Sequence, residues 1–544
     1  MDPGPAHISG LHEDILHHIF ELNADMYLEG KSSSLDNYSQ TPSNRNNSAL
    51  NVIRHTSQVC QYWRGLIISS PMIWGNIIDF NLLQQVNNFW RKEVIRRTGN
   101  SNLSVKGMVK CKGSTGEFFA DLMKNHWLRI RKLDVKIHHY RLLDDETWKA
   151  LQHPAPHLEL FKVDIAYWGH DQIFPTASPS LFSDEAPSLR EFRFTYYPGI
   201  NGNFTLRAPW LCQLRSVTLI ETFTISDILD ALMDMPLLES LELQKATVGA
   251  AAPRRCVHLP HLSLMTINST SELRGALLVL ESIVAKPACA LVLDTFDGNI
   301  RGVNLEDIIA VQKIILRYAL GYFSSELMVV EGLTFRHHPK AFSLHYSPLK
   351  TSAIHQKPSG FEVDIFFNFP VTPEFFGTLQ DSPFPSLHVK TWDMRQGMLE
   401  DIEGEISYAG WESLTSFLSL FPFVEVLQAP EYSLRVLLSA FEEDPGVWSL
   451  LHTLKITYYI RMTPSFSGNL IRFLDRREGN GLAIKVLDIT ELAARENRDW
   501  GFLERKAGLK VVWAQDGSPL SYICGSGEPE KLIIYESSRP NANI

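Results

Sequence analysis

The sequence has few of the features that mark secreted or membrane-spanning proteins. Its six cysteines lie far apart and form no Cys-x-x-Cys pair, which is typical of a reducing compartment where thiols serve as small apolar core groups. The N-terminal segment has no basic stretch followed by an apolar one, so we expect no secretory signal. No run approaches the roughly 18 apolar residues of a membrane span. We therefore expect a cytoplasmic or nuclear protein with no membrane partner.

Motifs for catalysis and for nucleic-acid binding are also missing. The net charge is −10, so the chain lacks the basic footprint of a nucleic-acid-binding protein. No P-loop, dinucleotide-binding glycine motif or nucleophile elbow occurs. In HEDILHH, residues 12–18, Leu16 stands where an i, i+4 zinc pair needs its second histidine. The sequence therefore predicts no catalytic residue, no cofactor, no metal site and no nucleic-acid partner. Cys60 is interpreted as a core thiol.

What the sequence does contain is enough apolar surface for a large core. The 544 residues are 44% hydrophobic and 21% charged, which argues against general disorder. A chain of this length forms several domains or one long repeat array. Organisation therefore has to be inferred from periodicity along the chain.

The N-terminal region has a helical period in two stretches. In SGLHEDILHHIFELN, residues 9–23, Ile15, Ile19 and Leu22 share one stripe, and Ser9 is the predicted N-cap. A polar stretch from about Asp25 to Ser48 is predicted to be a disordered insertion. The helical period returns over residues 50–67, and Ser-Pro at 70–71 ends the second helical stretch.

These residues resemble a known family. The patterns Leu-x-Glu-Asp-Ile-Leu-x-x-Ile-Phe, Val-Cys-x-x-Trp-Arg and Ser-Pro-x-x-Trp are similar to the F-box, particularly its fungal form. The resemblance implies a compact helical module that docks on the adaptor of an SCF ubiquitin ligase and, through it, on cullin. The positions matched to adaptor binding are Leu11, His12, Ile15, Leu16, Ile19, Val59, Cys60, Trp63, Pro71 and Trp74. The sequence departs from the family pattern at His12, where proline is usual, at Gln61, where a basic residue is common, and in the insertion.

Beyond residue 100, a phrase of the form apolar-x-x-apolar-x-apolar recurs. Its middle residues at positions 133, 161, 192, 217, 241 and 265 are 28, 31, 25, 24 and 24 residues apart. Three later copies are centred on positions 427, 454 and 487, and only weaker candidates occur between about 268 and 420. This period and phrase are those of leucine-rich repeats, in which stacked strand–helix units share one core. Helical stripes lie between phrases, and LKVVWAQDG at 509–517 is predicted to be a closing strand and turn.

The predicted fold class is therefore α/β. A small all-α, F-box-like module over residues 1–80 precedes an irregular leucine-rich-repeat solenoid, or horseshoe, over 81–515, and a C-terminal cap and tail occupy 516–544. The basic stretch WRKEVIRR at 90–97 is interpreted as the solvated face of a helix whose Phe89, Trp90, Val94 and Ile95 pack inward.

Three functions fit this organisation. The first is a non-enzymatic substrate receptor of an SCF-type ubiquitin ligase, which binds the adaptor through the F-box and an unknown protein substrate through the repeats. The second is a leucine-rich-repeat interaction scaffold with an F-box-like cap and no ligase role, for which His12 and the insertion argue. The third is an enzyme with an unrecognised site in residues 268–420.

Overall fold

A computed structural model gives the fold of the chain. The residues that it describes are 11–27, 48–85, 87–110, 114–138, 145–166, 180–196, 207–220, 223–244, 256–269, 273–296, 305–323, 330–338, 341–348, 362–366, 389–396, 415–416, 418–457, 466–493, 498–515 and 518–534. Most of the predicted insertion and the end of the predicted C-terminal tail lie outside these ranges.

The chain has an α/β fold with extensive parallel β-sheet and divides into two compact units. The first unit contains residues 1–263 and 278–286, and the second contains 264–277, 287–351 and 358–544. The first unit also includes 352–357, which lie outside the described residues.

The α-helices are spread along the whole chain and are mostly short. They are α1 Glu13–Ala24, α2 Ala49–Thr56, α3 Gln61–Ser69, α4 Pro71–Gly75, α5 Phe89–Thr98, α6 Ser114–His126, α7 Asp145–Lys149, α8 Ile225–Met233, α9 Leu273–Ser282, α10 Leu305–Phe323, α11 Glu431–Glu443, α12 Phe466–Gly479 and α13 Thr490–Ala493. Between them lie 3₁₀ turns at Trp127–Arg129, Ala150–Gln152, Leu181–Asp184, Pro209–Gln213, Gly501–Arg505 and Pro529–Leu532.

Of two predictions about the ends of the N-terminal helices, one is wrong and one is confirmed. Helix α1 begins at Glu13 and its N-cap is His12, so the prediction of Ser9 as N-cap is wrong. The predicted break at Ser70-Pro71 is confirmed, because α3 ends at Ser69 and Pro71 takes the first position of α4. Proline fits the first position of a helix because a backbone N–H there has no acceptor within the helix. The lack of that N–H in proline therefore costs no hydrogen bond.

The strands carry the repeated phrases. They are β1 Ile78–Asp79, β2 Leu103–Lys110, β3 Ile130–His138, β4 Leu160–Ala166, β5 Glu191–Tyr196, β6 Ser216–Leu219, β7 Ser240–Gln244, β8 Val257–Leu259, β9 Leu264–Ser269, β10 Ile283–Ala285, β11 Ala290–Phe296, β12 Val330–His338, β13 Ala341–Pro348, β14 Glu362–Phe366, β15 Thr391–Gln396, β16 Val426–Ala429, β17 Thr453–Ile456, β18 Val486–Asp488, β19 Arg498–Asp499, β20 Lys510–Gln515, β21 Ser518–Ile523 and β22 Ile533–Ile534.

In the first unit, strands β1 to β7 pair in parallel in chain order. The middle residues of five successive phrases stand directly opposite one another; they are Leu133, Phe161, Phe192, Val217 and Leu241. All five are at most 4% exposed, so they form one continuous apolar layer. The spacing read from the sequence is therefore the spacing of paired strands in a shared core.

The backbone repeats with the same regularity just before each of these strands. The amide of Glu159 donates to the carbonyl of Arg131, Arg190 donates to Glu159, and Arg215 donates to Arg190, over distances of 2.7, 2.8 and 2.8 Å. Glu239 continues the series to Arg215 at 2.8 Å. Each of these residues lies two positions before the middle of its phrase, so every unit joins the next in the same way.

The second unit holds a comparable parallel ladder. Residues Trp392, Leu427, Leu454, Leu487 and Val511 stand opposite one another on β15, β16, β17, β18 and β20. All five are buried. Strand β21 then folds back antiparallel on β20, which confirms the closing strand predicted near residue 510. Residues 516 and 517 of the predicted turn lie outside the described residues.

The region where the repeats are weak in the sequence contains a different pairing. Strands β12, β13 and β14 form an antiparallel meander. Its outer strands join the parallel sheet, since β14 pairs with β11 and β12 pairs with β15. The spatial order is thus β9-β11-β14-β13-β12-β15, which departs from chain order and explains why a single repeated phrase did not describe residues 268–420.

The prediction that the cysteines serve as buried core groups requires a correction. Cys289 and Cys524 are buried thiols as expected, whereas Cys60, Cys212 and Cys256 are exposed, and Cys111 lies outside the described residues. The predicted role of thiols as buried groups is therefore wrong for three of them.

No helix in the described part of the chain is both long and apolar enough to cross a bilayer.

Helix α5 buries different residues from those expected. Val94 is buried, but Phe89 is 80% exposed, so its predicted inward packing is wrong. Arg91 is instead fully buried, because its guanidinium is held by the preceding loop. The predicted solvated face remains at Glu93, which bonds both Arg96 and Arg97 at 2.7 Å. These hydrogen bonds lower the pKa of Glu93 to about 2.

Candidate functional site on the N-terminal helices

The residues matched to adaptor binding fall into three classes of exposure. His12, Ile15, Val59, Cys60 and Pro71 are exposed, Leu11, Ile19 and Trp63 are half-buried, and Leu16 and Trp74 are buried. The buried pair contributes to the helical core rather than to an accessible surface. The candidate docking surface is therefore defined by the first two classes.

Helix α1 turns one apolar stripe to solvent. Ile15 is 49% exposed and Leu22 is 45% exposed, and half-buried Ile19 lies between them on the same helical face. The neighbouring stripe, with Leu16 and Phe20, is buried. Helix α1 thus has two apolar stripes. One is buried against the neighbouring helices, and the other faces solvent.

The turn between α2 and α3, with the start of α3, exposes further apolar side chains. Val59 is 62% exposed and Tyr62 is 49% exposed. Cys60 is the N-cap of α3, and its Sγ accepts a hydrogen bond from the backbone amide of Trp63 at 3.4 Å. The interpretation of Cys60 as a core thiol is therefore wrong. A short cap residue was needed at this helix start, and cysteine fills that position.

Aromatic contacts hold these helices together beneath the surface. Trp63 packs edge-on against Phe20 with ring centroids 5.3 Å apart, which joins α3 to α1. The indole nitrogen of Trp74 donates to the carbonyl of Ile67 at 2.8 Å, and the guanidinium of Arg97 stands 4.5 Å from the centre of the Trp74 ring. The exposed stripe on α1 and the exposed residues beside α3 are therefore carried by a packed scaffold. We use the name helical apolar surface for four exposed side chains, Ile15, Leu22, Val59 and Tyr62, together with half-buried Ile19.

His12 replaces the proline of the family pattern without disturbing the helix start. Its Nδ1 accepts from the amide of Asp14 at 3.4 Å and lies 3.2 Å from the Asp14 carboxylate. A side chain that accepts a hydrogen bond at the N-cap satisfies one of the unpaired amides of the first turn. The substitution therefore changes the chemistry of the surface more than the path of the backbone.

A second feature was not predicted: the first unit has a charged sheet face opposite its apolar layer. Strand residues alternate between the two faces, so the neighbours of the buried middle residues all point the other way. We call this set the polar strand face, and it consists of Asp79, Lys106, Lys110, Lys132, Asp134, Lys136, Lys162, Asp164, Glu191, Arg193, Thr218 and Glu242. The signal in the sequence was the recurrence of charged residues at alternate strand positions, as at Lys132, Asp134 and Lys136.

Specific ion pairs connect β4, β5 and β7 across this face. Lys162 Nζ lies 2.6 Å from a carboxylate oxygen of Glu191, and Arg193 Nε lies 3.0 Å from Asp164. Arg193 also lies 3.7 Å from Glu242. Burial lowers the pKa of Lys106 on β2 and raises the pKa of Asp134 on β3. The charges on this face are therefore partly removed from water and depend on one another.

Tyr27 links the helical segment to the polar strand face. Its hydroxyl donates to the carbonyl of Val105 at 3.1 Å. The ammonium groups of Lys132 and Lys106 lie 4.7 and 5.5 Å from the centre of its ring. Burial, followed by the nearby Asp134 carboxylate, raises the pKa of the Tyr27 hydroxyl. The start of the predicted insertion is thus packed against strands β2 and β3.

The raised pKa of the Asp79 carboxyl predicts that the stability of the folded protein depends on pH. Burial raises the pKa of its carboxyl to about 6, although hydrogen bonding from the Asn81 amide and the charge of Lys106 act in the opposite direction. Because the pKa in the folded state exceeds that of the unfolded chain, the stabilisation is complete below about pH 4 and is lost as the pH rises through 6. Asp79→Asn should raise the free energy of unfolding by about 1–2 kcal/mol at pH 7, after allowance for partial solvent contact.

Urea unfolding at two pH values tests this prediction. The advantage of the Asp79→Asn variant should shrink toward zero near about pH 4, where the wild-type carboxyl is protonated as well. An equal difference between variant and wild type at both pH values would show that titration of Asp79 is not the cause.

No group of three or more histidine, cysteine or acidic side chains suited to a metal ion occurs within the described ranges.

Comparisons with known proteins give little further guidance. No family model matches the chain, and no curated protein matches it. One similar solved structure is that of a Bacteroides fragilis protein determined as a structural genomics target. It is 11% identical, covers 69% of this chain and 74% of its own, and superposes with a TM-score of 0.21.

Proposed function

We propose that this protein is a substrate receptor of an SCF-type ubiquitin ligase, with an F-box-like helical module and a leucine-rich-repeat solenoid. The observation that carries the proposal is the helical apolar surface. Ile15 and Leu22 stay about half exposed on a helix whose other stripe is buried. Large apolar side chains grouped in this way are favoured where a partner protein covers them.

The residues of that surface include positions that match the family motif. Ile15, Ile19 and Val59 belong both to the resemblance and to the exposed set. Leu16 and Trp74 match the motif as well, and their burial supports a role in keeping the helices packed. The proposal therefore assigns adaptor contact to the exposed members and support to the buried ones.

The strand ladders support the substrate-binding half of the proposal. Repeated strands in register present long rows of side chains, and such surfaces bind proteins through residues scattered over several repeats. The proposed mechanism is proximity: the receptor holds a substrate lysine near the charged conjugating enzyme, and cullin is reached through the adaptor. No residue of this chain then acts on the reacting atoms, because effective concentration supplies the rate. The expected location is cytoplasmic or nuclear.

A scaffold with an F-box-like cap and no ligase role is the second candidate. The exposed histidine at the N-cap of α1 favours it, since His12 places a polar side chain where the family pattern has proline. In that case the helical apolar surface would be covered by some other protein. Binding to the adaptor distinguishes the two functions.

The test is a pull-down of the full chain with the SCF adaptor from the same organism. Wild-type protein should bind with micromolar or tighter affinity. The double variant Ile15→Ala, Val59→Ala should lose at least about tenfold in affinity, since truncating central apolar anchors typically costs more than about 1 kcal/mol each. Both side chains are exposed, so the variant is expected to fold.

A matched control is available in the same unit. Met233 and Leu237 are 52% and 43% exposed and lie outside the N-terminal helices. The control Met233→Ala, Leu237→Ala should bind the adaptor as wild type does. Failure of folded wild-type protein to bind would move the assignment to the scaffold, and equal losses in both double variants would remove the helical apolar surface from the explanation.

A further inference from the structure

Strand β21 forms an edge of the sheet in the second unit. It pairs antiparallel with β20 from Ser518 to Ile523, and no other strand in the described part of the chain pairs with it. All of its residues except Tyr522 are exposed, and the exposed fractions of Leu520 and Ile523 are 39% and 55%. The outer side of β21 is therefore a sheet edge that is open to solvent.

The backbone bonds of β20 show which groups of β21 face outward. The amide of Lys510 donates to the carbonyl of Lys485 at 3.0 Å, so Lys510 directs its backbone groups toward β18 and Val511 directs its own toward β21. The amide of Cys524 donates to the carbonyl of Leu509 at 2.9 Å, which fixes the same alternation at the end of β21. Counted back in twos from this residue, the even-numbered residues of β21 bond to β20. The odd-numbered residues direct their backbone groups outward.

These outward groups are complementary to a second copy of themselves. Pro519 offers a carbonyl but no amide hydrogen, whereas Ser521 offers both groups. Ile523 offers its amide, because its carbonyl already accepts from the Ser526 hydroxyl at 2.6 Å. A twofold axis at Ser521 places this residue opposite itself and Pro519 opposite Ile523 of the second copy. The donor that proline lacks is then opposite the carbonyl that Ser526 already satisfies.

The same register brings apolar side chains together on both faces of the sheet. Ile523 lies beside Pro519 of the second copy on one face, and Leu520 lies beside Tyr522 of the second copy on the other. Pairing occupies the β21 edge of both chains, so association stops at two copies and does not continue into a fibre. An unrelated strand would leave a carbonyl opposite Pro519 without a donor, which favours a second copy as the occupant.

We propose that the edge of strand β21 binds a second copy of this chain, with the two β21 strands antiparallel about a twofold axis at Ser521. The interface is small, so the expected product is a reversible dimer that forms at micromolar concentrations. A dimer carries two copies of every binding surface and holds a ligand with two binding sites more tightly than a monomer does. The inference does not rest on the proposed function, because β21 and the helical apolar surface belong to different units.

Sedimentation velocity of the full-length protein over a series of concentrations tests the proposal. Wild-type protein should pass from monomer to dimer as its concentration rises. Ser521→Lys places two ammonium groups opposite each other at the axis, and Ser521→Asp places two carboxylates there. Each variant should therefore dimerise at least tenfold more weakly. An equimolar mixture of the two variants should recover the dimer, because opposite charges then meet at the axis.

The variants are expected to fold, and a matched control is available in the same unit. The side chain of Ser521 is exposed, and its backbone groups face away from β20. Ser449 is an exposed serine outside β21, so Ser449→Lys and Ser449→Asp make the same charge changes away from the edge. Both control variants should dimerise as wild type does.

Hydrogen exchange resolved to single amides gives a second measurement. The amides of Ser521 and Ile523 should exchange more slowly at concentrations where the dimer forms, because only the second copy supplies their acceptors. The amides of Leu520 and Tyr522 should be protected in the monomer as well, since they bond to β20. Alternation of this kind along β21 is specific to pairing at its outer edge.

Four results would overturn the proposal. They are wild-type protein that stays monomeric over the whole series, equal losses in the Ser521 and Ser449 variants, a mixture of the Ser521 variants that dimerises no better than either alone, and a Ser521 amide that is protected in the monomer. The last result would assign the edge to another part of the same chain. The adaptor pull-down is independent of these outcomes, because the Ser521 variants retain Ile15 and Val59.

Discussion

Replacing Trp392 by alanine is expected to lower the free energy of unfolding by about 3–5 kcal/mol, as for other fully buried tryptophans. The side chain is fully buried, and its ring centroid lies 4.9 Å from that of Phe421 and 5.4 Å from that of Trp448. It also stands opposite Leu427 in the parallel ladder of the second unit. Truncation would leave a cavity between the strand layer and the segments that cover it.

Urea unfolding of the full chain measures this effect. Because the protein has two compact units, the transition need not be two-state, and the part that belongs to the second unit should shift to lower urea. Trp392→Phe keeps most of the apolar volume and should lose less than half as much. Leu450→Ala, at a residue of the same unit that is 49% exposed, should change stability by less than about 0.5 kcal/mol. A Trp392→Ala variant no less stable than this control would contradict the packing described above.

Replacing Arg91 by alanine is the second large expected effect, with a loss of about 3 kcal/mol or more. The guanidinium is fully buried and donates to the carbonyls of Leu83 and Gln85 at 2.8 and 2.7 Å. It also donates to the carbonyl of Asn87 at 3.1 Å and to the side-chain oxygen of Asn88. Without it, the buried carbonyl of Leu83 and the partly buried oxygens of Gln85, Asn87 and Asn88 would lose their charged donor.

The Arg91 prediction has a control on the same helix. Arg96 is exposed and pairs with Glu93, so Arg96→Ala should lower stability far less than Arg91→Ala does. Arg91→Lys should recover only part of the loss, since a single ammonium cannot reproduce the fork of the guanidinium. Limited proteolysis should also cut the 83–88 loop faster in Arg91→Ala. Equal stability of the Arg91 and Arg96 variants would show that the buried hydrogen bonds contribute little.

Periodicity predicted the parts of the fold in which burial repeats along the chain. The phrase centred on Leu133, Phe161 and Phe192 places one apolar side chain at the same point of every strand, and these residues are indeed in register. Helix α8 lies between two phrases, where the sequence predicts helical stripes, and its Ile225 and Leu232 are both buried. Where one face of an element is buried, the pattern and the structure are two descriptions of the same constraint.

Local pattern could not predict which of two apolar stripes faces the core. Ile15 and Leu16 are adjacent and equally apolar, yet Ile15 is exposed and Leu16 is buried, because the packing of α2, α3 and α4 against α1 decides between them. The burial of Arg91 was missed for a similar reason. Its partners are carbonyl groups, which every loop possesses and no side-chain pattern reveals. The order of β11 to β15 also depends on pairings between distant segments.

The meander of β12 to β14 has a consequence for how the chain acquires its fold. In the parallel ladder of the first unit, β1 to β7, each strand joins the next one to be synthesised, so pairing can advance with the chain. Strand β11 is an exception, since Val292 pairs with Glu362 and the meander intervenes. The edge of β11 that pairs with β14 stays unpaired until β14 has emerged from the ribosome. Closing the longer loop between these two strands also costs more chain entropy. A strand edge that is unpaired for that interval is exposed to non-native pairing and aggregation.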